Sequence, residues 1–239
     1  AQKLIRDILS FPALRDTHFA LMDIAPERMD VTRRITEKLL QQESLPATVS
    51  TTTDRREALE GADYAICTIL ANGLPPFENE INIPYKYGIT QPVGDTLCVG
   101  GIFRALRTIP ILVDICRDMD EVCPDAYMLN YTNPMPMVTW ACNVAAQVNF
   151  IGLCHGVQGT AGEMARFIGV PPEEVRYWTA GINDLAWFLR FENAAGEDLY
   201  PLFWETLEKE GPPEHDRYRF DFAQHIGYFM TESSGHFSE

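Results

Sequence analysis

Short apolar segments alternate with helical patterns along residues 1–170 of the chain. The segments with the apolar or β-branched composition of strands are 18–24, 48–53, 63–70, 126–129 and 150–153. The helical patterns are 1–10, 26–42, 55–60, 102–119 and 158–168, and another begins near Pro134 or Pro136. Strands that alternate with helices form parallel sheets with helices on both faces. We therefore predict a doubly wound α/β fold over residues 1–170.

The pattern changes after Pro171 and Pro172. Residues 175–179 and 185–192 resemble antiparallel strands, and helical patterns follow at 201–210 and 217–231. This order predicts a domain boundary near residue 170, with the start of an α+β domain over 171–239.

The composition argues against two classes of binding partner and favours one cellular compartment. Lys and Arg number 19 against 34 Asp and Glu, for a net charge of -15, so we expect no nucleic-acid partner. No apolar run approaches the roughly 20 residues of a membrane span, so we expect no membrane association. The six cysteines form no CxxC pair and no secretory signal opens the chain, which favours the cytoplasm.

Asp23 ends the first predicted strand, where an acidic side chain can bind the ribose of NAD. A glycine-rich phosphate loop should precede it by about 20 residues. The first glycine of the sequence is Gly61, and the chain begins within the helix that such a loop would open. Either the fold binds no dinucleotide, or its first strand and loop lie outside this sequence. We expect the second.

The stretch GLCHGVQGT at 152–160 places Cys154 beside His155, directly after a predicted strand. Chemistry in open α/β sheets is carried beyond the carboxyl ends of the strands. A thiolate there is a good ligand for a soft or borderline metal, and an imidazole can move protons. The alternative is that Cys154 is a small buried hydrophobic residue.

Three further stretches carry polar groups at turns. Asp95 precedes two glycines and the helix that bears Arg104, and this could hold an anion or sugar oxygen or be a plain turn. Asn130 ends a strand, and Asn133 before Pro134 could contact a nicotinamide ribose and a substrate hydroxyl or cap a helix.

The third stretch, AGINDLAW at 180–187, brings an amide, a carboxylate and an indole to one turn. Asp184 could bind a metal and Trp187 could pack on a sugar face. An Asx turn followed by a core tryptophan is the alternative.

Together these stretches resemble glycoside hydrolase family 4, the NAD- and Mn-dependent glycosidases, and most closely its α-galactosidases. The similar segments are LMDI at 21–24, YGITQPVGDT at 87–96, GGIFRALRTIP at 100–110, CPDAYMLNYTNPM at 123–135, GLCHGVQGT at 152–160, AGINDLAW at 180–187 and TESSGHFSE at 231–239. The resemblance covers essentially the whole chain. It implies a lactate-dehydrogenase-like Rossmann domain followed by part of an α+β substrate domain.

The resemblance also implies a chemistry unlike that of glycosidases with two carboxylates. NAD⁺ takes a hydride from C3 of the sugar, and a divalent metal polarises the C2 and C3 oxygens. A base removes the C2 proton, the leaving group departs with help from an acid, water adds, and the hydride returns. The implied substrate is a small α-galactoside such as melibiose, and the implied assembly is a homodimer or homotetramer.

The resemblance assigns roles to single residues of this chain. The implied metal ligands are Cys154 and Asp184, and the implied catalytic residues are His155 as general acid, Asn133 and Asp95. The implied NAD contacts are Asp23, Asn130 and Asn133, and the implied substrate contacts are Asn133, Arg104 and Asn183.

The chain departs from the family pattern at three places. Relatives usually carry histidine, the second metal ligand, where this chain has Asp184, so the identity of the metal is open. Cys98 and Val99 replace the usual Gly-Pro before Gly100. We expect the tyrosine base of the family to lie after Glu239. Three alternatives stay open: another sugar (an α-galacturonide, α-glucoside or 6-phospho-glycoside), a 2-hydroxy-acid dehydrogenase, and an inactive remnant.

Overall fold

A computed structural model describes residues 2–91, 94 and 97–237. The chain divides into two compact units, and both contain several separate stretches of the sequence. The first unit comprises Ala1–Thr68, Ile111–Asn130 and Ala141–Ile151. The second unit comprises Ile69–Pro110, Tyr131–Trp140 and Gly152–Glu239. The boundary near residue 170 stays a prediction.

The first unit carries the parallel strands. Their bounds are β1 His18–Met22, β2 Thr48–Thr52, β3 Tyr64–Cys67, β4 Tyr127–Asn130 and β5 Asn149–Gly152. β1 pairs in parallel with β2, and β3 pairs in parallel with β4, which is hydrogen-bonded to β5. Within the described residues, β1–β2 and β3–β4–β5 are separate sheets. The alternation of strands and helices predicted from the sequence is thus observed.

Local sequence explains the helices that join these strands. Their bounds are α1 Gln2–Ser10, α2 Pro26–Gln42, α3 Arg55–Leu59, α4 Leu74–Tyr85, α5 Val99–Val122 and α6 Met135–Ala145. Pro26 opens α2, where its missing N–H is harmless. The Asp54 carboxylate accepts hydrogen bonds from the backbone N–H groups of Arg56 and Glu57 and so caps α3. Ile5 and Leu9 of α1 pack with Leu40 of α2.

The second unit is built on an antiparallel hairpin. Besides α4 and parts of α5 and α6, it contains α7 Gly156–Phe167, β6 Val175–Ile182, β7 Leu185–Asn193, α8 Tyr200–Glu210, α9 Arg217–Ile226 and α10 Ser234–Phe237. A returning segment, residues 229–231, lies along β7: Phe188 N–H donates to Phe229 O at 2.8 Å and Thr231 N–H donates to Ala186 O at 2.9 Å. Phe188, Phe191, Phe203, Phe220 and Phe229, from β7, α8, α9 and the returning segment, form a buried aromatic core.

Two helix predictions were incomplete. Helix α4 was not predicted, because its Leu-Pro-Pro start and internal Pro84 conceal its periodicity. The predicted helix 217–231 ends earlier, at Ile226. Gly227 there adopts φ 84° and donates to Ala223 O, which terminates α9 and frees the returning segment to join β7. In the part of the chain described, no helix combines the length and apolarity that a membrane span requires.

We predict that Tyr200→Phe destabilises the second unit by about 2 kcal/mol. The Tyr200 hydroxyl donates to Phe188 O at 2.6 Å and accepts from Phe229 N–H at 3.0 Å. Both backbone groups are buried, one in β7 and one in the returning segment, so phenylalanine leaves them without that partner. Denaturant unfolding measures the change. Tyr218→Phe is the matched control, because Tyr218 is 75% exposed, and an equal effect of the two substitutions would contradict the prediction.

Candidate functional site

Three side chains of the second unit form a cluster that offers a thiol and two carboxylates. The ligand atoms of Cys154, Asp184 and Glu232 all lie within 4.8 Å of one another. Cys154 is in the loop before α7, Asp184 is in the turn between β6 and β7, and Glu232 follows the returning segment. The structure therefore brings together the two predicted metal ligands and adds a third group.

The hairpin turn aims Asp184 inward. Gly181 has φ 142°, and a Cβ there would overlap Leu185 O and the Ala186 backbone, so only glycine allows the two strands to approach. Asn183 takes a left-handed φ of 48°, which asparagine tolerates better than most residues. Asp184 is 5% exposed as a result.

Opposing influences act on the Cys154 thiol. Burial raises its pKa, and the nearby carboxylates of Glu232 and Asp184 raise it further because they disfavour a second negative charge. The N–H of Gly156, at the start of α7, donates to Sγ at 3.4 Å and lowers the pKa. The balance favours the neutral thiol in the protein alone. A divalent cation at the cluster would reverse this, since it favours the thiolate.

The donor set fits a divalent metal. Thiolate sulfur suits soft and borderline metals, whereas carboxylate oxygens suit Mn²⁺ and Mg²⁺. Two of the three groups are carboxylates of buried residues, and buried carboxylates are normally paired or bound to a metal.

His155 and Asn183 flank this cluster in sequence, and both belong to the second unit. His155 is exposed, directly follows Cys154 and precedes α7. Asn183 is half-buried beside Asp184, and its Oδ1 has no hydrogen-bond partner among the described residues. Asn133 is half-buried next to Pro134, with which it forms a cis peptide bond.

Arg104 is enclosed by protein groups. Its Nε donates to Glu80 at 2.9 Å, and its guanidinium lies over the Phe77 ring, 4.5 Å from the centroid. Only 5% of its side chain is exposed. The predicted contact between Arg104 and a sugar stays a prediction.

Of the three remaining predicted residues, one is not described by the structure and two belong to the first unit. Asp95 lies outside the described residues. Asp23 belongs to the first unit, where its Oδ1 accepts from the Ala25 N–H at 2.8 Å and from Arg28 at 3.0 Å. Asn130, the last residue of β4, is fully buried in the same unit.

Sequence reasoning missed Glu232. Nothing in its spacing links it to Cys154 or to the β6–β7 turn, and only its place in the TESSGHFSE stretch drew attention to it. The close contact arises because the returning segment pairs with β7, which is a tertiary feature.

Comparison with known proteins shows the family and the fold. The sequence model described as Family 4 glycosyl hydrolase matches residues 1–170, and that of its C-terminal domain matches 179–239. An alpha-galactosidase of Rhizobium meliloti is 40% identical over 100% of the chain and 49% of its own length. One of Bacillus subtilis is 39% identical over 100% of the chain and 56% of its own length. The chain thus spans about half the length of these curated relatives.

Solved structures agree on the fold. A 6-phospho-alpha-glucosidase from gut microorganisms, solved with NAD and Mn²⁺, superposes with a TM-score of 0.82 at 20% identity and covers 96% of this chain and 55% of its own. Lactate dehydrogenase of Eimeria maxima gives 0.62 at 17% identity, over 98% of this chain and 67% of its own. The predicted lactate-dehydrogenase-like Rossmann fold is confirmed. With both family matches on its two parts, the chain belongs to family 4 of the glycosyl hydrolases.

Proposed function

We propose that the protein of which this chain is part hydrolyses α-galactosides with the help of NAD⁺ and a divalent metal, Mn²⁺ in the first instance. The observation that carries the proposal is the Cys154–Asp184 pair in a family 4 chain. The choice of sugar rests on the two alpha-galactosidases that match the chain over its whole length.

In this proposal Cys154 and Asp184 hold the metal. A bound metal would act there as a Lewis acid on hydroxyl oxygens of the sugar, and NAD⁺ would supply the capacity to accept and return a hydride. His155, exposed beside the thiol, donates a proton to the leaving oxygen. Asn133, Asn183, Arg104 and Asp95 orient the sugar and the nicotinamide.

NAD⁺ is proposed to contact Asp23 and Asn130 in the first unit, besides Asn133. The parallel pairing of β1 with β2 and of β3 with β4 supports a dinucleotide-binding fold.

We also propose a cytoplasmic location and a dimer or tetramer. The six cysteines are free thiols, which supports a reducing compartment. Sedimentation of the full-length protein measures its oligomeric state.

A substrate panel tests the sugar. We expect the full-length protein to have its highest kcat/KM on an α-galactoside, above the matching α-galacturonide, α-glucoside and 6-phospho-glucoside. For the two gluco-configured sugars, loss of a hydrogen bond that a buried site provides for the axial C4 hydroxyl costs at least about 1 kcal/mol, or roughly fivefold. The α-galacturonide keeps that hydroxyl and differs at C6, where desolvation of its carboxylate costs free energy. A higher kcat/KM on any of the other three would overturn the α-galactoside assignment.

A further inference from the structure

We infer that Glu232 is a third protein ligand of the metal, so that this chain binds its cation with one thiolate and two carboxylates. The inference rests on the proposed function, which assigns only Cys154 and Asp184. It adds a ligand from a distant part of the sequence to a site in which aspartate stands where relatives usually have histidine.

The Glu232 carboxylate lies close enough to the other two ligand atoms to bind the same metal ion. Its Oε1 is 3.5 Å from Cys154 Sγ, and both belong to the group whose ligand atoms lie within 4.8 Å of one another. Its Oε2 is 3.8 Å from Nδ1 of His236. The side chain is 10% exposed, so the carboxylate is withdrawn from water into the cluster.

Gly156 creates the space for this carboxylate. A Cβ at position 156 would overlap Glu232 Oε1 and Cδ, so the carboxylate occupies the volume of the missing side chain. Gly159, three residues later on α7, has open space at the corresponding point. The glycine at 156 is therefore explained by the approach of Glu232, and the glycine at 159 is not explained by packing.

The main chain around Glu232 is held by hydrogen bonds that do not involve its carboxylate. Arg219 Nη1 donates to Glu232 O at 2.9 Å, and Thr160 Oγ1 donates to Thr231 O at 2.8 Å. The charge of Arg219 is answered by two other carboxylates, Asp216 at 2.7 Å and Glu163 at 2.7 Å. Arg219 thus holds the segment by its carbonyl and does not neutralise Glu232.

A site with two carboxylates is harder and more negative than one with a thiolate and an imidazole. Carboxylate oxygens favour Mn²⁺ and Mg²⁺, whereas imidazole favours Zn²⁺ and Ni²⁺. The two negative charges of Glu232 and Asp184 therefore replace the attraction for the cation that is lost with the imidazole ligand.

The test is Mn²⁺ binding to the full-length protein, measured by titration calorimetry. The cobalt–thiolate charge-transfer band serves as a second readout at Cys154. We expect Glu232→Gln to weaken Mn²⁺ binding at least about tenfold, since even groups that only support a ligand are worth 10- to 100-fold. Glu205→Gln, on the exposed face of α8, removes the same charge and should leave binding unchanged.

A glycine pair gives an independent arm. Gly156→Ala forces the Glu232 carboxylate to move and should weaken Mn²⁺ binding, whereas Gly159→Ala should not. If Glu232→Gln keeps the melting temperature and binds Mn²⁺ like the wild type, Glu232 is not a ligand and the inference is wrong. If Glu232→Gln does not fold, the glycine pair decides. A wild-type protein that binds no Mn²⁺ would refute the proposed metal and this inference with it.

Discussion

Replacing Cys154 with alanine should lower kcat/KM for an α-galactoside by about 10³-fold, because polarisation of the reacting oxygens by a metal is worth several kcal/mol. Cys154 supplies the sulfur of the cluster, and alanine leaves only carboxylates to hold the cation. The measurement is steady-state hydrolysis with saturating NAD⁺ and Mn²⁺.

Cys123→Ala is the control for the loss of a thiol. Cys123 is buried near the end of α5, outside the cluster, so its replacement should cost about 1 kcal/mol of unfolding free energy and leave kcat/KM within a factor of about two. Activity of Cys154→Ala close to the wild-type value would show that the thiol holds no catalytic metal.

Two substitutions at Asp184 should distinguish the effect of its negative charge on metal binding from the effect of its type of ligand atom. Asp184→Asn removes the charge with little change in volume, and we expect Mn²⁺ affinity to fall by about 10²-fold. Asp184→His provides an imidazole in place of the carboxylate. It should keep metal binding but raise the affinity for Zn²⁺ and Ni²⁺ relative to that for Mn²⁺.

Competition titrations with the three cations measure both effects. Asp221→Asn, on the exposed part of α9, is the matched control for loss of a carboxylate and should bind Mn²⁺ normally. If Asp184→Asn binds Mn²⁺ as tightly as the wild type, Asp184 is a structural residue of the hairpin turn.

The strands and most helices could be predicted because their signals are local. Pro26 at the start of α2 and the apolar run before Cys154 identify their elements within a few residues of sequence. Gly227 is a local signal too, but its helix-ending role was hidden because an apolar pattern continues through Phe229 and Met230.

The site could be predicted only in part, because its third member depends on tertiary structure. Cys154 follows a predicted strand beside a histidine, which suggests metal chemistry, whereas Asp184 was assigned to the metal only through the resemblance to family 4. Glu232 reaches them only because the returning segment pairs with β7 and because Gly156 has no side chain. Arg219, which donates to the Glu232 carbonyl, lies in helix α9, and nothing in the sequence of that helix indicates this contact.

In the function proposed above, hydrolysis depends on both a redox cofactor and a metal. The most direct test measures galactose release by the full-length protein after removal of NAD⁺ and chelation of metal, with each restored separately and then together. We expect hydrolysis only when both are present, and a slower rate with substrate deuterated at C3. Hydrolysis that persists without NAD⁺ and metal would contradict it.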